Sequence, residues 1–279
     1  MAAKAPSGPI RLGHTVPNFN ADTTQGKINF YDQLQVTLPV TTFTPQKVTK
    51  TIYRIIGRSY SLFQMHSSYF TPVATTELIT FTLLQADFAK RNVKLFALST
   101  RNTLNDDGKF ESHQTWVRDI NDISNEPLLF PIISDKTGGI SRLFNVLGEG
   151  DAAAVKSDDR VGEGLAFKSR TVFIIDAKKK FRLIFSYPAD VGINTAEVLR
   201  VIDCLQTVAR ADIQTPANWI PGADAIVPPQ YDDKKAKEKY PGYQVLKPYL
   251  RVCKLEVQDT NVETIEEISG EATEEFLKM

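Results

Sequence analysis

The chain has 279 residues, enough for one large domain and a smaller one, and its 33 basic residues balance 33 acidic ones. This balance gives no reason to expect nucleic acid or an anionic membrane surface as a partner. No apolar run approaches the roughly 18 residues that would cross a bilayer.

Neither the first residues nor the cysteines indicate secretion or metal chemistry. Residues 1–12 lack the apolar core of a signal peptide and the arginine-rich pattern of a transit peptide, so we expect a cytoplasmic protein, with a cytoskeletal or organellar assembly left open. Cys204 and Cys253 are too few for a disulfide framework or a CxxC metal site. The three histidines are dispersed along the chain: His14, His66 and His113. We therefore predict neither a metal nor a cofactor.

Strand-like and helix-like segments alternate between about residues 59 and 210. Asn194 or Thr195, with Glu197 in the first turn, is typical of a helix start. The predicted elements, in chain order, are strand 59–65, helix 75–91, strand 93–99, helix 113–123, an apolar stretch 129–134, a short helix 139–147, an antiparallel hairpin of strands 170–176 and 181–187, and helix 194–211. This alternation favours an α/β sandwich with some parallel strands.

Three other segments differ from this pattern. Residues 218–252 are rich in proline, glycine and tyrosine, which indicates a small second domain. Residues 254–279 hold eight acidic residues against two lysines and are interpreted as a solvated tail. Residues 33–76 contain no acidic residue but four basic ones: Lys47, Lys50, Arg54 and Arg58.

Several segments, taken in order, resemble the 1-Cys peroxiredoxin family. They are LGHTVPNFNADTTQGKINFYD (12–32), YFTPVATTEL (69–78), SHQTWVRDI (112–120), FPIISD (130–135), SRTVFIID (169–176), YPADVGINTAEVLRVIDCLQ (187–206), TPANW (215–219) and YLRV (249–252). The resemblance spans about residues 10–253 and is interrupted only between about 35 and 56.

The resemblance implies a thioredoxin-like α/β fold, with a central mixed sheet flanked by helices. It also implies a small C-terminal domain that helps to build a homodimer, and reduction of hydroperoxides through one cysteine. We therefore expect a peroxiredoxin domain over 10–211 with a basic insertion at about 35–56, the small domain over 212–253, and an acidic tail over 254–279.

The resemblance also assigns roles to single residues. Thr71 matches the threonine that holds the peroxide, Glu77 the glutamate of the active-site loop, Arg170 an arginine that polarises the peroxide, and His66 the histidine before the loop. The family chemistry needs a thiolate at the start of a helix, where unsatisfied N–H groups lower the thiol pKa.

The family pattern D-F-T-P-V-C-T-T-E-L places Ala74 where the reacting cysteine stands, and a methyl group can neither ionise nor attack oxygen. Further departures accompany it: Ser67 replaces a proline, Tyr69 an aspartate, and Ile193 a second arginine. A single engineered Cys→Ala change would leave these three unexplained, so we favour natural loss of the site. Neither remaining cysteine sits at a matching position, and Cys204 is interpreted as part of the core.

A second activity found in some family members, a phospholipase with a G-x-S-x-G-like serine, is not expected. Ser59 in GRSYS matches that serine, but Tyr53 stands where the family has its histidine base. Without a base the hydroxyl is not activated.

Three functional hypotheses follow. The first is a dimeric structural or interaction protein without peroxidase activity, either alone or as a subunit of a larger assembly. Its basic segment would contact an acidic protein, a filament surface, RNA or the acidic tail of another copy. A tolerated surface loop is the alternative reading of that insertion, and its charges are too few to indicate nucleic acid. The second is an active 1-Cys thiol peroxidase, if Ala74 is an engineered replacement. The third, binding of a small anion by Thr71 and Arg170, has no further support in the sequence.

Overall fold

Two compact units, divided between Ile193 and Asn194, make up the described part of the chain. The residues that the computed structural model describes are 10–35, 60–66, 71–99, 111–146 and 169–255. The helix over 195–211, which we expected in the first domain, belongs to the second unit in this division. Compactness alone does not define a domain, so the domain boundaries stay predictions.

The first unit is built on a seven-stranded mixed sheet. Its elements are β1 (Asn20–Thr23), β2 (Gly26–Asn29), α1 (Phe30–Gln35), β3 (Tyr60–His66), α2 (Pro72–Leu83), α3 (Gln85–Lys90), β4 (Val93–Ser99), α4 (Glu111–Ser124), β5 (Ile132–Ser134), α5 (Gly139–Leu143), β6 (Ser169–Ile175) and β7 (Phe181–Pro188). The strand order is β2-β1-β5-β4-β3-β6-β7, with β4 parallel to β3 and β5 and the other pairs antiparallel. The thioredoxin-like α/β fold predicted from the sequence is confirmed.

The centre of this sheet is apolar because strand β4 is buried along its whole length. A continuous apolar run such as VKLFALS is typical of a strand that is covered on both faces. Beside it, Phe19 stacks on Phe30 with ring centroids 4.7 Å apart, and Phe30 meets Phe96 of β4 edge to face. This aromatic core holds the central strands, whose ends carry the candidate site.

The predicted helix over 75–91 differs from the structure at both its start and its middle. Helix α2 begins earlier, at Pro72, because Thr71 before it is extended and proline suits the first helical position. A break at Leu84 then separates α2 from α3. Threonine hydroxyls along α2, including that of Thr82 bonded to the Leu78 carbonyl at 2.8 Å, compete with the helical ladder and favour such a break.

Two other predictions were too long. Of the apolar stretch 129–134, the strand itself covers Ile132–Ser134. The helix predicted over 139–147 ends at Leu143 within the described residues. The hairpin of β6 and β7 has the predicted antiparallel pairing, closed by a turn in which Lys179 adopts a positive φ of 61°.

The second unit contains α6 (Thr195–Ala211), β8 (Ala225–Ile226), α7 (Asp233–Lys239), β9 (Gln244–Lys247) and β10 (Leu250–Cys253), and its three strands form a sheet in the order β8-β10-β9. Of the two predicted caps of α6, Asn194 and Thr195, the Asn194 side chain is the one that caps the helix, accepting a hydrogen bond from the Glu197 N–H at 3.0 Å. No helix in the described ranges has both the length and the apolar character that a membrane crossing requires.

Candidate functional site

The site lies at the N-terminus of helix α2. Thr71 is the N-cap residue, and its carbonyl accepts from both the N–H and the hydroxyl of Thr75 at 2.9 Å. The Thr71 side chain makes no capping hydrogen bond, so its hydroxyl is not engaged by its own helix. Ala74 is the third helical residue, close to the N–H groups that the first turn leaves unsatisfied, and none of its surface is exposed.

A buried ion pair stands beside this first turn. Glu77 lies three residues after Ala74, on the same side of the helix, and its Oε1 is 3.4 Å from Arg170 Nε of β6. The two side chains are 2% and 4% exposed, so water screens them little. One positive and one negative charge therefore cancel in the part of the site that the structure describes.

Ile193 completes the described site. Its backbone N–H donates to Glu77 Oε1 at 3.0 Å, and the residue is 9% exposed. The preceding residue, Gly192, packs on the first turn of α2, where a Cβ built on it would lie 3.7 Å from Val73 Cγ1. The position that the resemblance assigns to a second arginine thus carries a buried hydrocarbon next to the glutamate.

Sequence reasoning missed one contributor to the geometry. Trp116 of α4 is fully buried and donates its indole N–H to Thr75 Oγ1 at 2.9 Å, which fixes α4 against the first turns of α2. The only sequence signal was its place in the SHQTWVRDI segment, which carried no assigned role.

The structure thus brings Glu77, Arg170 and Ile193 together beside the turn that holds Thr71 and Ala74. His66 is the last residue of β3, and its backbone pairs with Ser99 of β4. The remaining site candidates lie outside the described residues: Ser67, Tyr69, Ser59 and Tyr53, as well as Lys47, Lys50, Arg54 and Arg58.

Both cysteines belong to the second unit and are free, buried thiols. Burial raises the pKa of Cys204 above its ordinary value, although Arg200 Nη1 lies 3.4 Å from its sulfur. Burial likewise raises the pKa of Cys253, which is 4% exposed in β10. A thiol with a raised pKa forms little thiolate, so neither residue has the character of a reacting cysteine.

Comparison with known proteins agrees with the fold and the sequence motifs. Residues 12–184 match the AhpC/TSA family, and residues 204–242 match the C-terminal domain of 1-Cys peroxiredoxin. The mitochondrial peroxiredoxin PRX1 of Saccharomyces cerevisiae is 40% identical over 246 residues, which cover 88% of this chain and 81% of that protein. Peroxiredoxin-6 of Gallus gallus is 36% identical over 236 residues, or 83% and 89% of the two chains.

Solved structures give the same result. A yeast mitochondrial 1-Cys peroxiredoxin, studied for its thiol resolving mechanism through glutathione and thioredoxin systems, superposes with a TM-score of 0.68 at 38% identity, covering 88% of this chain and all of that one. A cysteine-to-serine mutant of peroxiredoxin 6 of Arenicola marina gives a TM-score of 0.69 at 33% identity, covering 89% of this chain and all of that one.

Proposed function

Since the chain belongs to the 1-Cys peroxiredoxin family, we propose that it has kept the family fold without the peroxidase reaction and acts as a dimeric structural or interaction protein. The observation that carries the proposal is the buried methyl group of Ala74 in the first turn of α2. Reduction of a hydroperoxide needs a thiolate there to attack the O–O bond and become a sulfenic acid. Removing the nucleophile of a well-studied protease lowers its rate by roughly 10⁶.

The remaining charges support natural loss rather than a single replacement. According to the resemblance, a functional pocket holds two arginines against one glutamate and one thiolate, so its charges cancel. Here Ala74 stands in place of the thiolate and Ile193 in place of one arginine. The charges of the remaining pair, Arg170 and Glu77, again cancel. An uncompensated buried charge is costly, so the two losses are physically coupled. A Cys→Ala replacement made in a working enzyme would have left the second arginine in place.

The second candidate is the peroxidase activity that the relatives' names indicate. It requires that Ala74 replace a native cysteine, and family membership is the observation in its favour. The loss of the second arginine weighs against it.

For the partner, we propose an acidic protein or filament surface contacted by four basic residues in and just after the insertion at about 35–56: Lys47, Lys50, Arg54 and Arg58. Homodimer formation and a cytoplasmic location remain part of the proposal, and the similar yeast protein is named as mitochondrial. The chain's balanced charge gives no support for nucleic acid as the partner.

A pull-down with full-length variants tests this proposal. We expect that the native chain retains a partner which is lost when all four of these basic residues are replaced by glutamine, because the contact is electrostatic. A matched variant, Lys27→Gln/Lys178→Gln, removes two exposed charges elsewhere and should retain the partner. Equal recovery of every protein by all three chains would contradict a role for the insertion in binding.

A further inference from the structure

The second unit carries an exposed surface that is both basic and apolar, which we call the α7–β9 surface. On strand β9 the neighbouring residues Val245 and Leu246 are 60% and 55% exposed, and Tyr249 in the following turn is 80% exposed. Neighbouring residues of a strand point to opposite faces unless a bulge intervenes, and the register of β9 with β10 is irregular at this point. Apolar side chains this exposed and this close together form a patch on which another segment can pack.

The basic part of the surface comes from α7. Ala236 is the buried residue of this helix, and Asp233 at its first position is exposed while accepting from Arg251 Nη1 at 3.1 Å. Three lysines of the helix are exposed, Lys234, Lys235 and Lys237, next to the exposed acidic residues Asp233 and Glu238. No acidic side chain of the described residues lies within salt-bridge distance of them.

The sheet register places the two parts on one face. Val245 pairs with Arg251 across the β9–β10 ladder, and paired residues of antiparallel strands point to the same side. Because the Arg251 side chain bonds Asp233, the first residue of α7, exposed Val245 lies on the side of the sheet that faces the start of α7.

The chain itself contains a segment with the complementary chemistry. Residues 256–279 hold eight acidic residues and one lysine, interspersed with apolar residues such as Val262, Ile265, Ile268 and Phe276. This segment follows directly after the described end of the same unit, two residues beyond β10. Fully extended it would reach about 80 Å, many times the spacing of about 4.8 Å between neighbouring strands.

We propose that residues 256–279 dock on the α7–β9 surface of their own chain, with carboxylates against the three lysines and apolar side chains against Val245, Leu246 and Tyr249. The segment matches the surface in both charge and apolar character. Water alone could solvate the lysines, but it would not cover the apolar side chains. High salt then weakens the docking, because the lysine–carboxylate contacts are exposed to solvent. This inference does not depend on whether the chain has peroxidase activity.

Hydrogen exchange in the full-length chain tests the proposal. We expect amides of Gln244–Lys247 to exchange about tenfold faster in Lys234→Gln/Lys235→Gln/Lys237→Gln, the effect of losing three exposed ion pairs. Glu263→Gln/Glu266→Gln/Glu267→Gln should give a similar increase, and so should about 1 M salt, which shortens the screening length to about 3 Å. The matched control Lys27→Gln/Lys178→Gln should leave the exchange unchanged. Unchanged exchange in both test variants would overturn the proposal.

Carbodiimide cross-linking of a mixture of unlabelled and ¹⁵N-labelled native chains identifies the occupant. The proposal expects cross-links from residues 256–279 to Lys234, Lys235 or Lys237 that join peptides of one label only. Cross-links that join the two labels would show that a second copy covers the surface, and cross-links to Lys27 and Lys178 in equal yield would show no preferred site. Either result overturns docking within the chain.

Discussion

Replacing Ala74 with cysteine is expected to give a thiol that stays protonated near pH 7, and so to restore almost no peroxidase activity. The new side chain would be buried, which raises a thiol pKa, and it would lie one helical turn from Glu77. Arg170 cannot supply the missing positive charge because it is already paired with that glutamate. Only the N-terminus of α2 then lowers the thiol pKa, whereas burial and the negative charge of Glu77 both raise it.

Adding Ile193→Arg to Ala74→Cys should lower the thiol pKa, because an opposite charge within about 4–6 Å typically lowers a pKa by one to three units. The measurement is the rate of iodoacetamide alkylation at residue 74 between pH 5 and 9, in a Cys204→Ser/Cys253→Ser background. We expect the Ala74→Cys/Ile193→Arg chain to react about tenfold faster or more at pH 7. The uncharged control is Ala74→Cys/Ile193→Met, which should behave like Ala74→Cys. If Ala74→Cys alone reacted as fast as Ala74→Cys/Ile193→Arg, the proposed coupling between loss of the cysteine and loss of the second arginine would be contradicted.

Breaking the buried ion pair should produce the largest loss of stability. Arg170→Met leaves the Glu77 carboxylate buried without its guanidinium partner, although the Ile193 N–H still donates to it. Removing one partner of a buried pair costs about 3–5 kcal/mol. Glu77→Gln should cost a similar amount, since it leaves the guanidinium uncompensated, whereas Arg170→Met/Glu77→Gln should recover most of the loss.

Urea unfolding measures these losses of stability. A Trp219→Phe background is used because Trp116 of the first unit is then the fluorescence reporter. The four chains form a double-mutant cycle, and the coupling between Glu77 and Arg170 is its non-additive part. If the double variant lost as much stability as the two single variants lose together, the two charges would not compensate each other.

The local elements of the fold were readable from the sequence where the pattern was continuous. Strand β4 was predicted with its observed bounds because VKLFALS is an unbroken apolar run. The start of α2 was missed because the apolar stripe used for the prediction begins after the cap, although Thr71-Pro72 is itself a start signal. Asn194 was one of the two predicted caps of α6, with Thr195, because the capping side chain and the bonded N–H are only three residues apart.

The candidate site was predictable by residue but not by arrangement. Glu77, Arg170 and Ile193 were each singled out from the resemblance, yet nothing local indicates that Glu77 accepts from an N–H 116 residues away. That contact depends on how β6, β7 and the turn after them return the chain to α2. The proposed charge balance between Ala74 and Ile193 rests on the Glu77–Arg170 ion pair, which the sequence alone did not indicate.

The central claim is that no thiolate is available to begin the reaction, and steady-state hydrogen peroxide consumption by the purified native chain with dithiothreitol tests it most directly. The matched control is Cys204→Ser/Cys253→Ser, which removes every thiol from the chain. We expect both chains to consume peroxide at the rate of dithiothreitol alone. Sustained turnover by the native chain above that background would contradict the account.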